Sequence, residues 1–121
     1  MKRRLFVGVL SASVLAFAFA AHAIDRDFTV VNNTGETITQ LYASPTTTTT
    51  WGSDLLGSDV LANGASVLLH YTPSMYRGQC VFDIKIVDAD NGQHVVNAIN
   101  LCTITTVTFS TVNGQVVFRA Q

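Results

Sequence analysis

After position 23 the chain is a series of short apolar runs separated by turn residues, and no stretch holds a 3.6-residue apolar repeat for three turns. In residues 28–31, Phe28 and Val30 stand two apart, the spacing that puts both on one face of a strand. Asn32-Asn33-Thr34-Gly35 then predicts a turn. Residues 37–43 form a second run, in which the step from Ile38 to Leu41 breaks strict alternation and predicts a bulge. Pro45 ends that run. Residues 66–72 alternate Val67, Leu69 and Tyr71 with Leu68 and His70, and two apolar faces predict a central strand. Residues 80–87 give the cleanest pattern, with Cys80, Phe82, Ile84 and Ile86 on one face and Asp83 and Lys85 on the other. Asp90-Asn91-Gly92 predicts a hairpin returning through residues 94–101. Residues 107–110 and 115–119, joined at Asn113-Gly114, predict a last hairpin with Val116 and Phe118 facing inward.

Three connections stand out. Residues 46–50 are five consecutive threonines, read as a surface loop; residues 51–57 (WGSDLLG) have room for one helical turn; residues 73–79 read as a polar loop. About seven short strands with frequent turns predict an all-β fold, a single small antiparallel β-sandwich, and a small barrel shares the same pattern.

The first 23 residues differ in kind. Lys2, Arg3 and Arg4 precede an apolar run from Leu5 to Ala21, and Ala21-His22-Ala23 has the A-x-A form of a cleavage site. This predicts a cleaved signal peptide over 1–23, with a retained N-terminal anchor as the alternative, and a periplasmic or secreted domain over 24–121. Arg3-Arg4 faintly resembles a twin-arginine signal, but an ordinary Sec signal accounts for the basic start. The remaining 98 residues carry four basic and eight acidic side chains, a net charge of −4 against −1 for the whole chain. Val, Ile and Thr make up 33 of the 98, which favours strands. This size and charge exclude a large multidomain enzyme and argue against nucleic acid or an anionic membrane as partners.

Cys80 and Cys102 are the only cysteines. An even count in a small exported domain predicts a disulfide, with two buried thiols or a metal pair as alternatives. Two cysteines without a C-x-x-C spacing make a poor zinc or redox site.

Several motifs in order carry a resemblance: Asp27-Phe28, Asn32-Asn33-Thr34-Gly35, Leu41-Tyr42-Ala43-Ser44-Pro45, Trp51-Gly52-Ser53-Asp54-Leu55-Leu56-Gly57, Gly64-Ala65-Ser66, Cys80-Val81-Phe82-Asp83-Ile84-Lys85 and Asn100-Leu101-Cys102. On these the chain resembles a family of small secreted proteins of unknown function, mostly from Proteobacteria. The likeness covers nearly all of residues 24–121. Members tend to have Trp where this chain has Phe82, and a mixed polar loop where it has the threonine tract. Some carry labels such as Tat pathway signal protein or argininosuccinate lyase. The resemblance implies no activity, cofactor or catalytic residue, and a β-rich chain of this size lacks the large helical framework of such a lyase.

Candidate chemistry is sparse. Asp88-Ala89-Asp90-Asn91-Gly92 has the acids of a calcium loop, but its Gly falls at position 5 and no Glu follows, so a hairpin turn is the simpler reading. His70 and His94 lack a G-x-S-x-G elbow to supply a serine partner. Asp54 and Asp59 suit turn or capping roles. Trp51, the sole tryptophan, either pins its loop to the sheet or anchors a ligand, and Tyr76-Arg77 is a second candidate contact pair. The expectation is a non-enzymatic binding or envelope-associated module with no cofactor or metal and with a protein partner, engaged through residues 46–51 and 73–79. The alternatives are a small secreted hydrolase or lyase, and a calcium- or carbohydrate-binding module.

Overall fold

The computed structural model describes residues 26–121, so the predicted signal peptide lies outside the described residues. Seven strands and one helical turn follow in order: β1 (Phe28–Asn33), β2 (Ile38–Pro45), β3 (Ser66–Leu69), α1 (Pro73–Tyr76), β4 (Val81–Asp88), β5 (Gln93–Asn100), β6 (Thr106–Val112) and β7 (Gln115–Ala120). They form a four-stranded sheet, β3-β1-β6-β7, and a three-stranded sheet, β2-β4-β5. The fold is all-β in a sandwich-like arrangement.

Alternation decides which side chains enter the core. Phe28 and Val30 of β1, Val107 and Phe109 of β6, and Phe82, Ile84 and Ile86 of β4 are all fully buried. Tyr71 packs edge-on against Phe28 and Phe82, with ring centres 6.5 and 5.0 Å away. Its hydroxyl donates to the Ala43 carbonyl at 2.7 Å, which satisfies the polar end of a buried ring. Burial pushes its phenol up to about 12, because the charged form would have to leave water.

The expected bulge is present: the β2–β4 register shifts between Ile38 and Gln40. A second shift occurs in the β4–β5 pair between Phe82 and Ile84, where Ala98 adopts a left-handed conformation with φ 62°. Cys80 and Cys102 are bonded, with Cα atoms 5.3 Å apart, and tie the start of β4 to the segment after β5.

Four details differ from the sequence reading. The β1–β6 pair is parallel, while the other four strand pairs are antiparallel. β3 lies at a sheet edge rather than the centre, and its second apolar residue, Leu68, is 55% exposed. The helical turn falls at α1, inside the expected polar loop, where Pro73 starts a helix without needing an N–H partner. Residues 51–57 make hydrogen-bonded turns instead, with Gly57 N–H to Asp54 O and Asp59 N–H to Leu56 O. Finally, Phe118 shares the inner face with its partner Phe109 but remains 43% exposed, because β7 is the outermost strand of the wider sheet.

Candidate functional site

The end of β2, the threonine tract and the residue after α1 enclose a cleft of about 460 Å³. Its construction starts at Ser44, a buried polar side chain whose hydroxyl lies 2.8 and 2.9 Å from the carbonyls of Thr50 and Trp51. That contact folds the tract back onto β2. Thr46 is anchored to β4, its N–H to Val81 O and its hydroxyl to Asp83 Oδ1 at 3.0 Å. Thr48 closes a turn, with both N–H and hydroxyl donating to Pro45 O. The tract therefore divides by role. Thr46 and Thr48 hold the loop, and the exposed Thr47, Thr49 and Thr50 leave their hydroxyls available along the cleft.

Trp51 reaches the cleft from the outer face of the three-stranded sheet. Its ring centre is 6.5 Å from that of Tyr42, and the Lys85 ammonium sits 4.8 Å from the Tyr42 ring and 5.1 Å from the Trp51 ring. Tyr42 and Lys85 are cross-strand partners, so the β2–β4 register itself builds the platform on which Trp51 rests.

Arg77 enters from the opposite side. It follows α1 with φ 51° and ψ 41°, and its N–H caps the turn on Pro73 O. A left-handed non-glycine residue is costly, so the turn presents this side chain at some expense in stability. Arg77 is exposed and has no carboxylate within ion-pair distance among the described residues. The structure thus brings Trp51 and Arg77 to one cleft. Tyr76 is not part of it: it packs against the core, with the Arg26 guanidinium 4.0 Å above its ring and the Arg26 Nε donating to Gln79 O at 3.0 Å.

A second groove of about 730 Å³ runs between the 53–61 loop and β3. Its lining is largely apolar, and Asp54 is committed within it, accepting the N–H groups of Leu41 and Leu56 at Oδ1.

The histidines are separated and serve single carboxylates. His70 Nδ1 lies 2.8 Å from Asp27 Oδ2, and His94 Nε2 lies 3.1 Å from Asp88 Oδ2. Neither contacts a serine among the described residues. The hydrogen bond from His70 holds the Asp27 carboxyl below its ordinary range, and that from His94 does the same for Asp88. Asp88 Oδ1 also accepts the N–H groups of Asp90 and Gly92, so the suspected calcium loop is a carboxylate-capped hairpin. A Cβ on Gly92 would meet Asp88 Oδ2 at 2.6 Å, which explains the glycine. Glu36 joins Asp88 and Asp90, with one oxygen from each within 4.8 Å of the others. A shared hydrogen bond with Asp90 raises the Glu36 carboxyl.

Sequence reasoning missed Asn32, read there as a turn residue. It is fully buried, and its amide nitrogen donates to Glu36 O at 2.7 Å and Leu61 O at 2.9 Å. Its side-chain oxygen accepts from the N–H and hydroxyl of Thr34. The length of the polar run gives no sign that its first Asn turns inward.

No helix among the described residues is long and apolar enough to cross a membrane. Compared with protein-family models, curated proteins and solved structures, the chain matches none.

Proposed function

We propose that the protein is an exported, non-enzymatic binding module that holds a segment of a partner protein in the cleft between the threonine tract and Arg77. The observation that carries this reading is the meeting of an aromatic platform, Trp51, with an exposed, left-handed Arg77 across one cavity. Trp and Arg are the side chains that most often dominate binding energy at protein interfaces. A disulfide in a domain of this size fits an oxidising compartment. The A-x-A signal pattern and the ordered motifs of the small secreted proteobacterial family also favour export. The separation of the histidines, each on its own aspartate, supports binding over hydrolysis. The free threonine hydroxyls beside Trp51 give a carbohydrate ligand as the second reading, since sugars stack on indole rings and exchange hydrogen bonds with hydroxyls.

The test is a photocrosslinking residue at Thr49 in the exported full chain, followed by mass spectrometry of adducts. A discrete protein adduct that is weakened at least about tenfold by Trp51→Ala or Arg77→Ala supports the reading, that factor being typical of an interface anchor. The control His70→Ala should leave it unchanged. A glycan adduct favours the second reading. An adduct indifferent to both cleft variants, or none, overturns the first.

A further inference from the structure

Each sheet of the sandwich has two edges, and three of the four carry a feature that hinders further pairing. The outer edge of β2 is occupied by its own loop, since Leu41 N–H donates to Asp54 Oδ1 and Leu41 O accepts from Leu55 N–H, and Pro45 removes a donor. β5 is interrupted by the bulge at Ala98, whose N–H is given to Asp83 Oδ1. β3 has only four residues. Short strands, prolines and bulges are the devices by which sheets prevent intermolecular pairing.

β7 has none of them. It runs six residues without proline, and its register against β6 is unbroken from Val112↔Gln115 to Val107↔Ala120. Thr106 and Gln121 exchange both backbone hydrogen bonds. Alternation along an antiparallel ladder then turns the N–H and C=O groups of Val116, Phe118 and Ala120 away from β6, toward the open side. No described strand pairs with that edge. Val112, Val117 and Phe118 are 53%, 40% and 43% exposed, so three of the seven exposed large apolar side chains among the described residues lie on this one hairpin.

Charge indicates what meets this edge. All eight acidic residues lie between Asp25 and Asp90, and from Asn91 to Gln121 there is none. The net charge of −4 disfavours contact between acidic faces of two copies, whereas β7 carries no acid and its only formal charge is Arg119.

We infer that β7 is a self-association edge, pairing antiparallel with β7 of a second copy about a two-fold axis at Phe118. That register uses every outward group: Phe118 faces Phe118 of the second copy, and Val116 faces Ala120 in both directions. These are three bonded pairs, each with two hydrogen bonds. Shifting the axis to Val117 places Ala120 opposite Gly114 of the turn and loses a pair of bonds. The contact is isologous and closes on itself, joining two four-stranded sheets into one. Each copy contributes a single six-residue strand, so the association should be weak.

The register places Val117 directly opposite Arg119 of the second copy, on the solvent face of the sheet. Sedimentation of the exported, oxidised full chain over about 1 to 500 µM should therefore show a monomer–dimer equilibrium. Val117→Lys should weaken it about tenfold by opposing Arg119, and Val117→Glu should tighten it several-fold. Both variants change an exposed side chain and should leave the melting temperature of the monomer unchanged. Amide exchange gives a second readout. The Val116, Phe118 and Ala120 amides should gain protection with concentration, while Val117 and Arg119 stay protected throughout by β6. A monomer at every concentration overturns the inference, as do open aggregates or equal responses to the Lys and Glu variants.

Discussion

Asn32 is a fully buried polar side chain that makes four hydrogen bonds. It joins the start of the β1–β2 loop to Leu61, 29 residues away, through groups sealed from water. Asn32→Ala would remove one of two donors from the Glu36 and Leu61 carbonyls and the side-chain acceptor of the Thr34 N–H, and urea unfolding should register a loss of about 1–2 kcal/mol. Arg77 makes the opposite case. Glycine in its left-handed position removes the Cβ penalty, so Arg77→Gly should raise stability by about 0.5–1 kcal/mol. The same change should weaken cleft binding at least about tenfold, and the two readouts together separate a functional residue from a structural one. Trp51 was visible as a candidate because it is the sole tryptophan. The inward turn of Asn32 was not, because its partners come from a distant loop that local pattern does not describe.

At the level of elements, alternation found the strands and missed their neighbours. β4 was readable residue by residue, since Phe82, Ile84 and Ile86 are buried as their spacing requires. β3 was misplaced because Leu68, which lies against a groove, looks in sequence like a residue covered by a second layer. Strand order depends on contacts between distant segments, and these leave no local periodicity. The bulge in β5 offers an element-scale test. Ala98 pays for φ 62° without glycine's freedom, so Ala98→Gly should stabilise by about 0.5–1 kcal/mol in thermal or urea unfolding.

For the whole molecule, the disulfide and the paired carboxylates set the conditions under which it persists. The Cys80–Cys102 bond closes a loop of sequence separation 22, and reducing it should cost about 3 kcal/mol, seen as a fall in the urea midpoint with dithiothreitol. Asp27 and Asp88 are held below the ordinary value of 3.8 by His70 and His94. A lowered carboxyl contributes stability above its unfolded value and loses it as pH falls through the folded one. Melting temperature should therefore fall below about pH 4, and Asp88→Asn should lower it at pH 6 by an amount that shrinks as pH falls through the depressed Asp88 value. Glu36 has the opposite sign. Its raised carboxyl favours the protonated state, so the repulsion from Asp90 grows as pH rises past its folded value. Glu36→Gln should raise the melting temperature at pH 7 and make little difference at pH 4.

The parallel β1–β6 pair has a consequence for how the chain acquires its shape. β1 is the first of the described strands and an inner strand of its sheet, yet one side of it waits for β6, more than 70 residues later. Loop closure over that separation is slow and comes late. In an oxidising compartment the chain can form the β4–β5 hairpin and its disulfide while β1 is still half unpaired. A chain ending after Thr105 and refolded in oxidising buffer should accordingly display a protease-sensitive N-terminal half with the Cys80–Cys102 bond already closed. The full chain refolded in the same way should convert to resistance in a single step.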